Sequence, residues 1–174
     1  MKTVLLSVQP KWVELIASGK KTIEVRKSRP KINTPFKCYI YCTIGNGVKG
    51  DYLVPSGIQC GKVIGYFVCD KTEDLRYVPT KYYGQPQGTY EEIICANSCL
   101  TVEEIKEYAK GKPIYGWYIS DLKIYDKPKD LNEFTSICKF KDGNCDICVF
   151  YEKAFGGCCR TIKSPQSWCY VEEL

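Results

Sequence analysis

The opening residues constrain the chain most. "TVLLSV" is a short apolar run, "QPKWVELIASG" opens with proline and closes with glycine, and "KKTIEVRK" alternates apolar with charged side chains. Residues 2–8 are expected to form a strand. Pro10 suits the first turn of a helix, where its missing N–H is not needed, and Trp12, Val13, Leu15 and Ile16 then fall on one face. Gly19 stands where the helix should stop in a left-handed cap. From Thr22 to Lys27 the period of two predicts a strand with Ile23 and Val25 on one side and Thr22, Glu24 and Arg26 on the other. Glu24 and Arg26 therefore share a face, with Lys21 beside them at the turn.

Further strands are expected at Lys37–Thr43, Lys62–Cys69 and Tyr115–Tyr125, each rich in β-branched and aromatic residues. Thr101 followed by Glu104 has capping-box spacing and predicts a second helix ending near Gly111. This rhythm does not fit a doubly wound fold. It predicts an α+β chain, a small and mainly antiparallel β-barrel with peripheral helices. Between Cys138 and Cys159 the character changes, and "SWCYVEEL" is a final strand candidate. The expected organisation is a core of residues 1–135 plus 164–174, with residues 136–163 as a Cys-rich excursion.

Charge is unevenly spread. Residues 1–37 hold nine Lys or Arg against Glu14 and Glu24, a net +7, while the remainder holds 16 basic and 18 acidic side chains, a net −2. Such a field favours a phosphate-bearing partner through steering and counterion release, although a solvated basic face has the same composition. The 174 residues include no histidine, which removes the commonest general base near neutral pH and the commonest metal ligand. Chemistry would fall to Lys, Glu, Asp, Tyr or Cys. No run approaches the roughly 18 apolar residues of a membrane span, and the N-terminal run is too short for a signal peptide. A soluble, cytoplasmic protein without a membrane partner is the expectation.

With Gly19, Lys21, Glu24 and Arg26 in place, the chain resembles the ASCH family (activating signal cointegrator homology) of the PUA-like superfamily, whose signature G-x-K-x-x-E-x-R is matched by "GKKTIEVR". "LLSVQPKWVELIASG", "GKVIGYFVCD" and "WYISDLKIYDKPKDLNEF" with "SPQSWCYVEEL" extend the resemblance over residues 1–135 and 164–174 of a small stand-alone member. It implies a PUA-like barrel with a basic cleft that binds RNA or a modified nucleoside through Gly19, Lys20, Lys21, Glu24 and Arg26, with Trp12 available for stacking. It also implies an alternative, an amidohydrolase acting on N4-acetylcytidine-like N-acylated nucleosides, with Lys21 and Glu24 catalytic. The chain differs from that enzyme at Glu24, where the enzyme has threonine, at Tyr66, where the family often has glutamate, and in "CANSCLT", which lacks its carboxylate.

Three roles for the charged set stay open. Glu24 orients Lys21 and Arg26 toward a phosphate or base edge, or the three form a charge-paired brace, or a desolvated Lys21 acts as base or nucleophile. Lys27, Arg29 and Lys31 would extend a basic track. Tyr39, Tyr41 and Tyr115–Tyr118 are aromatic candidates for base stacking, with core packing as the plainer reading of each.

Twelve cysteines without an export signal argue against a disulfide framework. Cys145 and Cys148 form a C-x-x-C knuckle, and Cys138 with Cys158 or Cys159 would complete a thiolate set for one structural zinc. Cys38, Cys42, Cys60, Cys69, Cys95, Cys99 and Cys169 are expected to be ordinary buried thiols. No organic cofactor is expected.

Overall fold

A computed structural model of the chain describes residues 3–44, 56–75, 90–136 and 163–173. Strands β1 (Thr3–Val8), β2 (Ile23–Arg26), β3 (Phe36–Cys42), β4 (Val63–Asp74), β5 (Tyr115–Lys129), β6 (Phe134–Ser136) and β7 (Trp168–Glu173) are joined with helices α1 (Pro10–Ala17), α2 (Tyr90–Ser98) and α3 (Val102–Ala109). They form one sheet in the order β2-β5-β4-β3-β1-β7-β6. The architecture is α+β and mostly antiparallel, with β1 and β3 as its parallel pair. β2 and β6 are its edges. No pairing between them closes the sheet among the described residues, so the expected barrel is an open sheet here. Three register shifts along β4 and β5 mark bulges, which bend a strand without closing the sheet.

Alternation along β1 and β3 sends side chains to two apolar layers. Val4, Leu6 and Val8 with Cys38, Ile40 and Cys42 pack beneath Val13 and Ile16 of α1. Leu5, Tyr39 and Tyr41 pack on the other side with Val63, Phe134 and Val171. A central strand covered on both faces needs no polar face, which is why "TVLLSV" is almost wholly apolar. Burying each Leu or Ile contributes about 1.5–3 kcal/mol, and Leu5, Leu6, Ile16 and Ile40 are fully buried. Trp117 on β5 fills the first layer between Phe36 and Trp168, with ring centroids 5.8 and 5.9 Å away.

Local sequence accounts for the turns. Pro10 lies in the first turn of α1, and Gly19 has φ of +72°, the left-handed conformation expected after the helix. The Thr101–Glu104 capping box forms, with the Glu104 amide donating to Thr101 Oγ1 at 3.2 Å and the Thr101 amide to Glu104 Oε2 at 2.9 Å. Gly65 marks the closest approach of β4 to β5: a Cβ there would lie 2.2 Å from the Lys123 carbonyl oxygen. β7 pairs with both β1 and β6. The strands flanking the Cys-rich stretch are thus neighbours in the sheet.

Helix α2 has no counterpart among the elements expected from the sequence. Ile94 and Ser98 are buried, but Ile93, Glu92 and Ala96 are exposed. So weak an apolar stripe gives little sequence signal.

Candidate functional site

The site is built where α1, β2 and the end of α2 meet. The left-handed turn at Gly19 reverses the chain, the Lys21 amide donates to Leu15 O at 2.9 Å, and the Lys21 side chain is directed inward. Thr22 then ties the start of β2 to α2: its amide donates to Asn97 O and its hydroxyl to Asn97 Oδ1, both at 2.8 Å. Ile23 and Val25 bury one side of β2, as its alternation predicts.

On the other side the charged residues form a chain. Lys21 Nζ donates to Ser98 O at 2.6 Å and lies 3.4 Å from Glu24 Oε2. Glu24 Oε1 accepts from an Arg26 Nη2 at 2.8 Å, and that nitrogen also donates to Ser7 O at 2.6 Å. The side chains of Lys21, Glu24 and Arg26 are only 2, 6 and 11% exposed. Two cations flank one carboxylate, and each cation also holds a backbone carbonyl from a distant element. Arg26 Nε is buried with no hydrogen-bond partner among the described residues. Burial lowers the Lys21 pKa from its ordinary value, and the nearby Arg26 charge works in the same direction; Glu24 opposes both without cancelling them.

Aromatic rings border this chain. The half-buried Trp12 lies between two amines, with Lys11 Nζ 4.1 Å and Lys21 Nζ 5.1 Å from its ring centroid. Lys27 lies 4.7 Å from the Tyr108 ring of α3, and the Arg29 guanidinium 5.4 Å from that of Tyr115. Lys20 is exposed on the turn. Gly19, Lys20, Lys21, Glu24, Arg26 and Trp12 therefore occupy one neighbourhood. Tyr39 and Tyr41 do not belong to it, being 2 and 5% exposed in the second core layer.

A family model for the ASCH domain matches residues 6–134. The chain belongs to the ASCH family. Its fold is similar to that of the ASCH protein from Zymomonas mobilis, at TM-score 0.57 and 17% identity over 98% of this chain and 88% of that one. The crystal structure of a serine-to-alanine variant of that protein gives TM-score 0.58 and 16% identity over 98 and 89% of the two chains. No curated protein gives a significant sequence match.

Sequence reading missed Ser7 and Ser98, whose contribution is a backbone carbonyl, and Cys99, which partners the turn itself. Cys99 has φ of +55° and its thiol donates to Lys20 O at 3.5 Å. Only the fold brings Cys99 to the Lys20–Lys21 turn. Cys38, Cys42, Cys60 and Cys69 are buried thiols, and burial pushes the pKa of Cys69 up to about 12. Among the described residues no group of three or more Cys, Asp or Glu is placed to hold a metal ion. Cys138, Cys145, Cys148 and Cys158 lie outside those residues. No described helix is long and apolar enough to cross a membrane.

Proposed function

We propose that this ASCH domain binds RNA or a modified nucleoside at the Lys21–Glu24–Arg26 cleft. The observation that carries the reading is the set of cation–aromatic pairs around β2: Lys11 with Trp12, Lys27 with Tyr108 and Arg29 with Tyr115. Single-strand binders combine positive charge for the backbone with rings on which bases stack, each stacked base contributing about 1–3 kcal/mol. ASCH domains are associated with RNA binding, which agrees with this chemistry. The ion-paired chain fixes the floor on which these rings and cations stand. Fluorescence anisotropy with a labelled single-stranded RNA should show salt-sensitive binding that weakens in Lys21→Ala and Arg26→Ala. Equal affinity in both variants would remove the assignment.

One observation favours a second reading. Lys21 is desolvated, with its pKa lowered, and sits 3.4 Å from Glu24. Once deprotonated, the Lys21 amine can take a proton from water attacking the amide carbonyl of an N-acylated cytidine, and returning the proton to the departing amine yields cytidine and the free acid. Chromatography of N4-acetylcytidine incubated with the protein decides it. Cytidine formed by the unaltered protein and not by a folded Lys21→Ala variant supports hydrolysis, and no cytidine leaves a binding cleft.

We also propose one structural zinc held by Cys138, Cys145, Cys148 and Cys158, on the strength of the C-x-x-C spacing and the absence of histidine.

A further inference from the structure

Beyond the end of β2, residues Lys27 to Asn33 form one wall of a groove of about 540 Å³, completed by Thr72 and Tyr115. That volume is within the range of ligand sites. Its charge is one-sided. Lys27, Arg29 and Lys31 line it with no carboxylate among the lining residues, and none of the three forms an ion pair among the described residues.

The wall is anchored from behind. Pro30 is buried, the Lys31 amide donates to the Tyr170 hydroxyl at 2.8 Å, and the Trp168 indole donates to Ser28 Oγ at 3.0 Å. These contacts pin the segment to β7. Arg29 is steered by its 3.4 Å hydrogen bond to Thr72 Oγ1 and by the Tyr115 ring. Three like charges held together without a counter-charge repel one another and favour a multivalent anion that all three can reach.

We propose that this groove is a phosphodiester-binding subsite, which takes the backbone of a single-stranded RNA whose base lies in the Lys21–Glu24–Arg26 cleft. The proposal rests on the nucleoside- or RNA-binding reading of that cleft and narrows its ligand to a polynucleotide. Arg26, the last residue of β2, adjoins Lys27, and Lys21 lies six positions before Lys27, at most roughly 20 Å at about 3.3 Å per extended residue. A stacked strand rises about 3.4 Å per nucleotide, so an RNA of at most about seven nucleotides spans cleft and groove.

The test measures two ligands on the same protein: a free cytidine-type nucleoside, which reaches the cleft only, and single-stranded RNAs lengthened from one to about eight nucleotides. Affinity should step up once the RNA is long enough to span both, by about seven nucleotides. Lys27→Ala/Arg29→Ala/Lys31→Ala should abolish that step and reduce the slope of log affinity against log salt by about 2, at about 0.7 per single-strand contact, and Lys31→Ala alone should weaken RNA binding while leaving nucleoside affinity unchanged. The exposed Lys123→Ala serves as the charge control and should keep the step. An unchanged step and slope in the triple variant, or an equal loss in Lys123→Ala, overturns the groove while leaving the cleft reading intact. If neither nucleoside nor RNA binds the unaltered protein, the cleft reading fails and the groove with it.

Discussion

Replacing Glu24 by glutamine isolates what the charged chain does for the fold. Its carboxylate lies 3.4 Å from Lys21 Nζ and 2.8 Å from Arg26 Nη2, separations at which an effective dielectric of about 20 gives attractions of about 5 and about 6 kcal/mol. Desolvation offsets much of this, yet removing one partner from a buried set leaves the others uncompensated, at a typical cost of about 3–5 kcal/mol. For a chain of this size that is a fall in Tm of about 6–20 °C. A pH dependence follows from Lys21. Its folded pKa is below the ordinary 10.5. Between the lowered value and the ordinary one the unfolded chain binds more protons than the folded one, so stability rises with pH across that window. Loss of Glu24 removes the influence that raised Lys21 and extends the window downward. Urea unfolding of the two proteins should therefore show a deficit at neutral pH that shrinks in alkali. In a Lys21→Met background the same substitution should cost less, because one of the two stranded cations is gone. A neutral-pH deficit under about 1 kcal/mol, the scale of an exposed pair, would refute the argument.

Three further predictions concern other parts of the molecule. Thr101→Ala removes the capping box of α3 and should cost about 0.5–2 kcal/mol in chemical unfolding, with no effect on ligand affinity. Burial pulls the Glu173 pKa up, but hydrogen bonds from Lys129 and Tyr39 with the Lys129 and Lys37 charges outweigh it and hold the carboxyl below its ordinary value. Its stabilisation is present above the unfolded value and lost as pH falls through the folded one, so the acid limb of a stability–pH curve should flatten in Glu173→Gln. Metal analysis of the purified protein should find one zinc per chain, reduced in Cys145→Ser, and a metal-free protein with intact thiols would end that proposal.

Local rules carried the sequence reading as far as β2. Pro10, Gly19 and the alternation of Ile23 and Val25 gave α1, its turn and the strand, because each acts within a few residues. The shared face of Glu24 and Arg26 followed from the same period. Their burial did not, since a charged side of a strand ordinarily faces water and here is covered by contacts from α1, α2 and the end of β1. Ser7 O and Ser98 O are equally silent in sequence, because any residue supplies a carbonyl and only tertiary packing delivers it. The parallel pairing of β1 with β3 and the open edges of the sheet are likewise long-range outcomes. α2 was missed because its apolar positions make so weak a stripe.

If RNA binds at Lys21, Glu24 and Arg26, the Trp12 indole, whose ring centroid lies 5.1 Å from Lys21 Nζ, reports on it directly. In a nitrogen-15 correlation spectrum, titration with a short single-stranded RNA should shift the Trp12 indole signal progressively to saturation while the signal of Trp117, 0% exposed in the core, stays in place. A Trp12 signal that does not move at saturating RNA would contradict the account.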